Sequence, residues 1–139
     1  MGPLGSSPIV TNVKSVAKDL SGNVWLGGHE GIQKVTKNPQ GDLNIASCLP
    51  GFFMELYLDS EKKLWYTRLE RDSGNWYIGL VHQDTYREVS FTEAGIETTD
   101  LKNIIEYPKG RFYLASSHGI VMFEADVMEG RNSRPFSCH

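Results

Sequence analysis

The feature that most constrains this chain is that it repeats itself. Adding 88 to the residue number superimposes the segment 13–35 on the segment 101–123 without a gap. Val16 falls on Ile104, Gly22 on Gly110, Val24 on Phe112, Trp25 on Tyr113, Leu26 on Leu114, Gly31 on Gly119 and Ile32 on Ile120. A middle copy starts 40 residues after the first, with Leu56 on Val16, Asp59 on Asp19, Leu64 on Val24 and Trp65 on Trp25. Beyond Trp65 the offset reads 48, because Gly79-Leu80 matches Gly31-Ile32, which implies an eight-residue insertion between Tyr66 and Tyr77.

Each copy has one grammar: an apolar strand, a polar turn, an aromatic strand, a variable loop and a Gly-led strand. The turns Asp-x-x-Gly-Asn and Pro-Lys-Gly-Arg supply the positive φ that tight hairpins need, and short Val, Ile, Trp, Tyr and Phe runs suit half-buried strands. Helical stripes are missing, so helix should be almost nil. The first copy predicts strands near 13–18, 23–28, 31–36 and 43–48. Further strand candidates lie at 86–91 and at 134–139, the latter as the fourth strand of the third copy. A period of this length with four short strands per unit is the mark of β-propeller blades. The expected fold is therefore all-β, a partial propeller of three four-stranded antiparallel blades over residues 7–50, 51–98 and 99–139. Residues 1–6 read Met-Gly-Pro-Leu-Gly-Ser, which resembles the scar left by a tag-removing protease, and are not expected to belong to the fold. Trp25, Trp65 and Tyr113 are expected to form a packing layer between blades.

Composition narrows the function. With 14 Lys+Arg against 17 Asp+Glu the net charge is −3, and no basic run or basic-aromatic stripe is present, so nucleic acid is not expected as a partner. No stretch reaches the roughly 18 to 20 apolar residues of a membrane span. Cys48 and Cys138 are too few for a disulfide framework and are expected as free, partly buried thiols. No metal-ligand spacing, nucleophile elbow or phosphate-cradling loop occurs, so no cofactor, metal or enzymatic activity is expected of this chain.

The segment Val16-Ala-Lys-Asp-Leu-Ser-Gly-Asn-Val-Trp-Leu-Gly-Gly-His-Glu-Gly-Ile resembles the two-component-regulator propeller repeat. It matches that pattern at Asp19, Gly22, Trp25, Leu26, Gly27, Gly31 and Ile32, and departs from it at Gly28, where Thr is usual. In the later copies Lys62 replaces the turn Gly, Tyr107 the Asp and Tyr113 the Trp. The resemblance implies the periplasmic, glycan-sensing region of a hybrid two-component histidine kinase of Bacteroidetes, with the kinase outside this chain. It is also compatible with a propeller enzyme of the streptogramin-lyase or lactonase type, or with a structural scaffold for other proteins.

Candidate site residues follow from the blade plan, which puts the turns between second and third strands on one rim. That rim would collect His29, His118 and an enlarged loop over residues 68–76 carrying Arg68, Arg71, Asn75 and Trp76. Aromatic faces beside planar donors suit sugar rings and carboxylated sugars, so an oligosaccharide is the expected ligand. The outer faces of the terminal blades should be apolar, and self-association through them is expected.

Overall fold

The computed structural model describes residues 12–97, 101–117 and 119–139, of which 101 and 102 are described for their backbone only. The described chain is all-β and antiparallel. Its strands are β1 (Val13–Lys18), β2 (Val24–Gly28), β3 (Gly31–Lys37), β4 (Leu43–Leu49), β5 (Phe52–Leu58), β6 (Leu64–Glu70), β7 (Asn75–His82), β8 (Thr85–Ser90), β9 (Leu101–Glu106), β10 (Arg111–Ser116), β11 (Gly119–Glu124) and β12 (Arg134–Pro135). Helix among the described residues amounts to α1 (Phe91–Ala94) and a 3₁₀ turn over Ala125–Met128.

Three sheets result, with orders β1-β2-β3-β4, β12-β8-β7-β6-β5 and β11-β10-β9. Local chemistry repeats from sheet to sheet as the offsets require. The Oδ1 of Asp19 accepts from the Ser21 and Asn23 amides, and the Oδ1 of Asp59 accepts from those of Glu61 and Lys63, so one carboxylate closes each hairpin. Burial pushes the Asp19 carboxyl up, but its hydrogen bonds from Trp25, Asn23 and Ser21 hold it below the usual range. The turn position needing positive φ is Gly22 at 89°, Gly110 at 87° and, in the middle sheet, Lys62 at 67°. A bulge also recurs in the first strand of every sheet, at Lys14, Met54 and Lys102.

Two apolar cores lie between neighbouring sheets. One joins the first sheet to the second through Trp25, Ile32, Phe53, Leu56, Leu64, Tyr66 and Val81. The other joins the second to the third through Trp65, Ile78, Val89, Ile104, Phe112, Leu114, Phe123 and Met128. Trp25 and Trp65 therefore belong to successive interfaces rather than to one layer, and Tyr113 faces a shallow surface cleft beside Ile105 and Ile120. The first strands approach one another, β1 packing along β5 and β5 along β9.

Four sequence expectations are corrected. The sheets hold four, five and three strands, because the chain after β11 turns back and pairs β12 with β8 of the second sheet, Arg134 opposite Tyr86. Met128, 2% exposed, anchors that turn in the second core. The tail then crosses to the first sheet, where His139 and Ser47 exchange both backbone hydrogen bonds at 2.9 and 3.0 Å. Next to them Cys48 and Cys138 are joined in a disulfide, not free. Finally, Ile78 stands opposite Thr67 as Ile32 stands opposite Gly27, so the second-half offset is 78 − 32 = 46 and the insertion is six residues. That insertion lengthens β6 and β7 rather than forming a loop, and only residues 71–74 turn.

Candidate ligand-binding rim

The β2–β3 turn, the start of β5 and the β6–β7 turn meet at one end of the first two sheets. The guanidinium of Arg71 donates from Nη2 to Nδ1 of His29 at 2.7 Å and lies over the ring of Phe52, 4.1 Å from its centroid. His29 itself packs on Phe52 with ring centroids 4.3 Å apart. Guanidinium has no acceptor, so Nδ1 accepts and the neutral imidazole carries its proton on Nε2. Two expected site residues, His29 and Arg71, are thus brought together from positions 42 apart in the chain, and both are exposed. Phe52 supplies the platform that holds them.

Arg68 lies beside this rim but is already engaged. Its Nε and Nη2 donate in parallel to Glu88 at 3.0 and 2.5 Å, and its guanidinium covers the Tyr77 ring at 4.4 Å. Both partners of the ion pair keep only 17% of their side-chain exposure, so the geometry favours a fixed strut over a free donor. Tyr66 completes the strut, donating its hydroxyl to Glu88 at 2.6 Å. Burial, and then the Glu88 charge, push the Tyr66 phenol far above its ordinary range, so it stays a donor at any physiological pH. Tyr66 reaches Glu88 across β7 because the residue between them is Gly79, where a Cβ would stand 1.9 Å from the Tyr66 Cζ.

Trp76 is elsewhere. Arg68 pairs with Tyr77, so Trp76, one residue earlier, faces the other side of the sheet and stacks on Phe91 at 5.9 Å. Asn75 is exposed at the start of β7, its amide donating to Ser73 Oγ at 3.2 Å. His118 lies outside the described residues. Among the described residues no group of three or more His, Cys, Asp or Glu is placed to hold a metal ion, and no helix is long and apolar enough to cross a membrane.

Sequence reasoning missed Phe52, Glu88 and Tyr66. Phe52 follows Gly51 directly in the crossing between sheets, and Tyr66 opposite a glycine was the available hint for the strut; Glu88, two strands away, carries no local signal. Compared with known families and curated proteins, the chain matches no family model and no curated protein.

Proposed function

We propose that the chain is a run of propeller blades that acts as a ligand-sensing module, not as an enzyme, and that it recognises an acidic oligosaccharide at the rim of His29, Phe52 and Arg71. The observation that carries this reading is the donor set. Arg71 and His29 are exposed residues held against the Phe52 ring, and the remaining guanidinium N–H groups of Arg71 and the Nε2–H of His29 are donors. A surface made of donors suits a ligand rich in acceptors, such as a uronate or a sulfated sugar. The blade arrangement is supported by the approach of β1, β5 and β9 and by the bulge that recurs at the same place in each first strand. A propeller sensor region of a two-component histidine kinase, the reading the repeat resemblance implies, is extracytoplasmic. The Cys48–Cys138 disulfide supports that location, since such bonds persist in oxidising compartments.

A structural scaffold is the second reading, favoured by the engagement of Arg68 with Glu88 and of Trp76 with Phe91. Calorimetric titration with uronate-containing, sulfated and neutral oligosaccharides separates the two. The sensor reading expects binding of an acidic sugar that Arg71→Ala and His29→Ala each weaken by about 1 to 3 kcal/mol, the range for truncating an interface anchor. Equal affinity in the variants, or no binding of any sugar, overturns the rim as a saccharide site and leaves the scaffold.

A further inference from the structure

The repeat makes one surface legible in a way its exposure alone would not. Each sheet has a forward face, which in the first and second sheets receives the sheet that follows, and a rear face, which in the second and third sheets packs on the sheet that precedes. Register fixes the equivalences. On the forward face Ile32 corresponds to Ile78 and Ile120, because each stands opposite the same position of its second strand: Gly27, Thr67 and Ala115. Ile32 and Ile78 are both 0% exposed, whereas Ile120 is 73% exposed.

The rest of the forward face behaves alike. Ala17 and Tyr57 pack against the first and second cores, but their equivalent Ile105 is 52% exposed. Trp25 and Trp65 are buried at 8% and 1%, whereas Tyr113 lines an open cleft with Ile105, Ala115 and Ile120. Met122, where the first sheet has Lys34, is 48% exposed and adds to the same patch. The rear face shows the converse. Leu56 and Ile104 are 6% and 5% exposed in their interfaces, whereas in the first sheet Val16, their equivalent, is 60% exposed although Leu26, opposite it on β2, is 7% exposed.

Among the described residues, the third sheet therefore presents a forward face without a rear-face partner, and the first sheet a rear face that is open at Val16. These are the two halves of an interface that the molecule already makes twice. We infer that the open forward face of the third sheet docks on the rear face of the first sheet of a second copy of this chain, in a head-to-tail contact. Two such contacts, related by a two-fold axis, close a ring of six sheets in which no forward or rear face is left open. The inference is independent of the saccharide reading, since none of these residues lies at the His29–Phe52–Arg71 rim.

The unlike faces make the test specific. Ile120→Lys disables the forward face alone and Val16→Lys the rear face alone, each at an exposed position where the monomer fold should be unaffected, as circular dichroism verifies. Sedimentation velocity of the 139-residue chain should show a wild-type dimer, a monomer for each variant alone, and recovery of a dimer when the two variants are mixed, because Val16→Lys still offers a forward face and Ile120→Lys a rear face. A like-to-like contact would instead leave one of the two variants dimeric on its own. A second readout needs no substitution: diluting the wild type should speed oxidation of Met122 by peroxide and leave the buried Met128 unchanged. A wild-type monomer at the highest soluble concentration, variants that still dimerise, a mixture that stays monomeric, or a Met122 oxidation rate that dilution does not change would each overturn the inference.

Discussion

The indole Nε1 of Trp65 donates to Asp59 Oδ2 at 2.8 Å, six residues back in the chain, and Trp25 makes the same bond to Asp19 at 3.0 Å. One carboxylate thus does two jobs. Its first oxygen closes the β5–β6 turn, and its second satisfies the only polar atom of a tryptophan that is 1% exposed. In the third sheet, where Tyr107 and Tyr113 hold these places, Glu106 takes over the turn, accepting from the Gly110 amide at 2.8 Å and from Ser60 of the second sheet.

Removing the carboxylate strands the indole. Asp59→Ala should destabilise the protein by about 1 to 3 kcal/mol, the cost of leaving a buried donor without a partner. Asp59→Asn, which keeps one acceptor, should cost less. Urea unfolding followed by tryptophan fluorescence measures both, and a change indistinguishable from that of a surface substitution would mean the indole finds another acceptor.

Much of this architecture was legible because it depends on short-range chemistry. The Asp, Gly and Trp spacing located the first two strands of the first sheet and the constant offsets carried them to the other two, and even Lys62, a departure from the pattern, adopts the positive φ of the glycine it replaces. What was not legible depends on pairing between distant segments. Gly79 resembles Gly31 in its sequence context, but Gly79 admits the Tyr66 ring, and the register follows Ile78 instead. Arg68 and Trp76 look like neighbours on one loop, yet strand alternation puts them on opposite faces. The tail falls at the right distance for a fourth strand of the third sheet, whereas burial of Met128 and the bond to Cys48 draw it across the outer edges of the other two sheets. Two cysteines 90 residues apart carry no spacing signal for pairing.

That strap yields a second prediction. The disulfide closes a loop of about 90 residues, and the short β12 covers the outer edge of β8. Cys138→Ser should lower stability by about 2 to 5 kcal/mol, as expected when a native crosslink is removed from a small domain. Hydrogen exchange should locate the loss at the outer strands, with amides of β4 and β8 exchanging faster while those of β2 and β6, central in their sheets, change less. Equal acceleration throughout would show that the tail stabilises the whole molecule and does not guard two edges in particular.

The last prediction concerns the strut under the rim. Tyr66, Gly79 and Glu88 occupy one row across three strands, and Tyr66 reaches the carboxylate only because position 79 has no side chain. Gly79→Ala would put a methyl group 1.9 Å from the Tyr66 Cζ, so the ring must leave its place. Overpacking of this kind costs about 1 to 3 kcal/mol, and loss of the buried hydroxyl–carboxylate bond adds to it. Glu88 also orients Arg68, so the change should loosen that ion pair and with it the β6–β7 turn that carries Arg71. The discriminating experiment is a double-mutant cycle: in a Tyr66→Leu background, which removes both the ring and its hydroxyl, Gly79→Ala should cost much less than in the wild type. Equal costs in the two backgrounds would mean that the glycine is needed for its backbone and not for the tyrosine that lies across it.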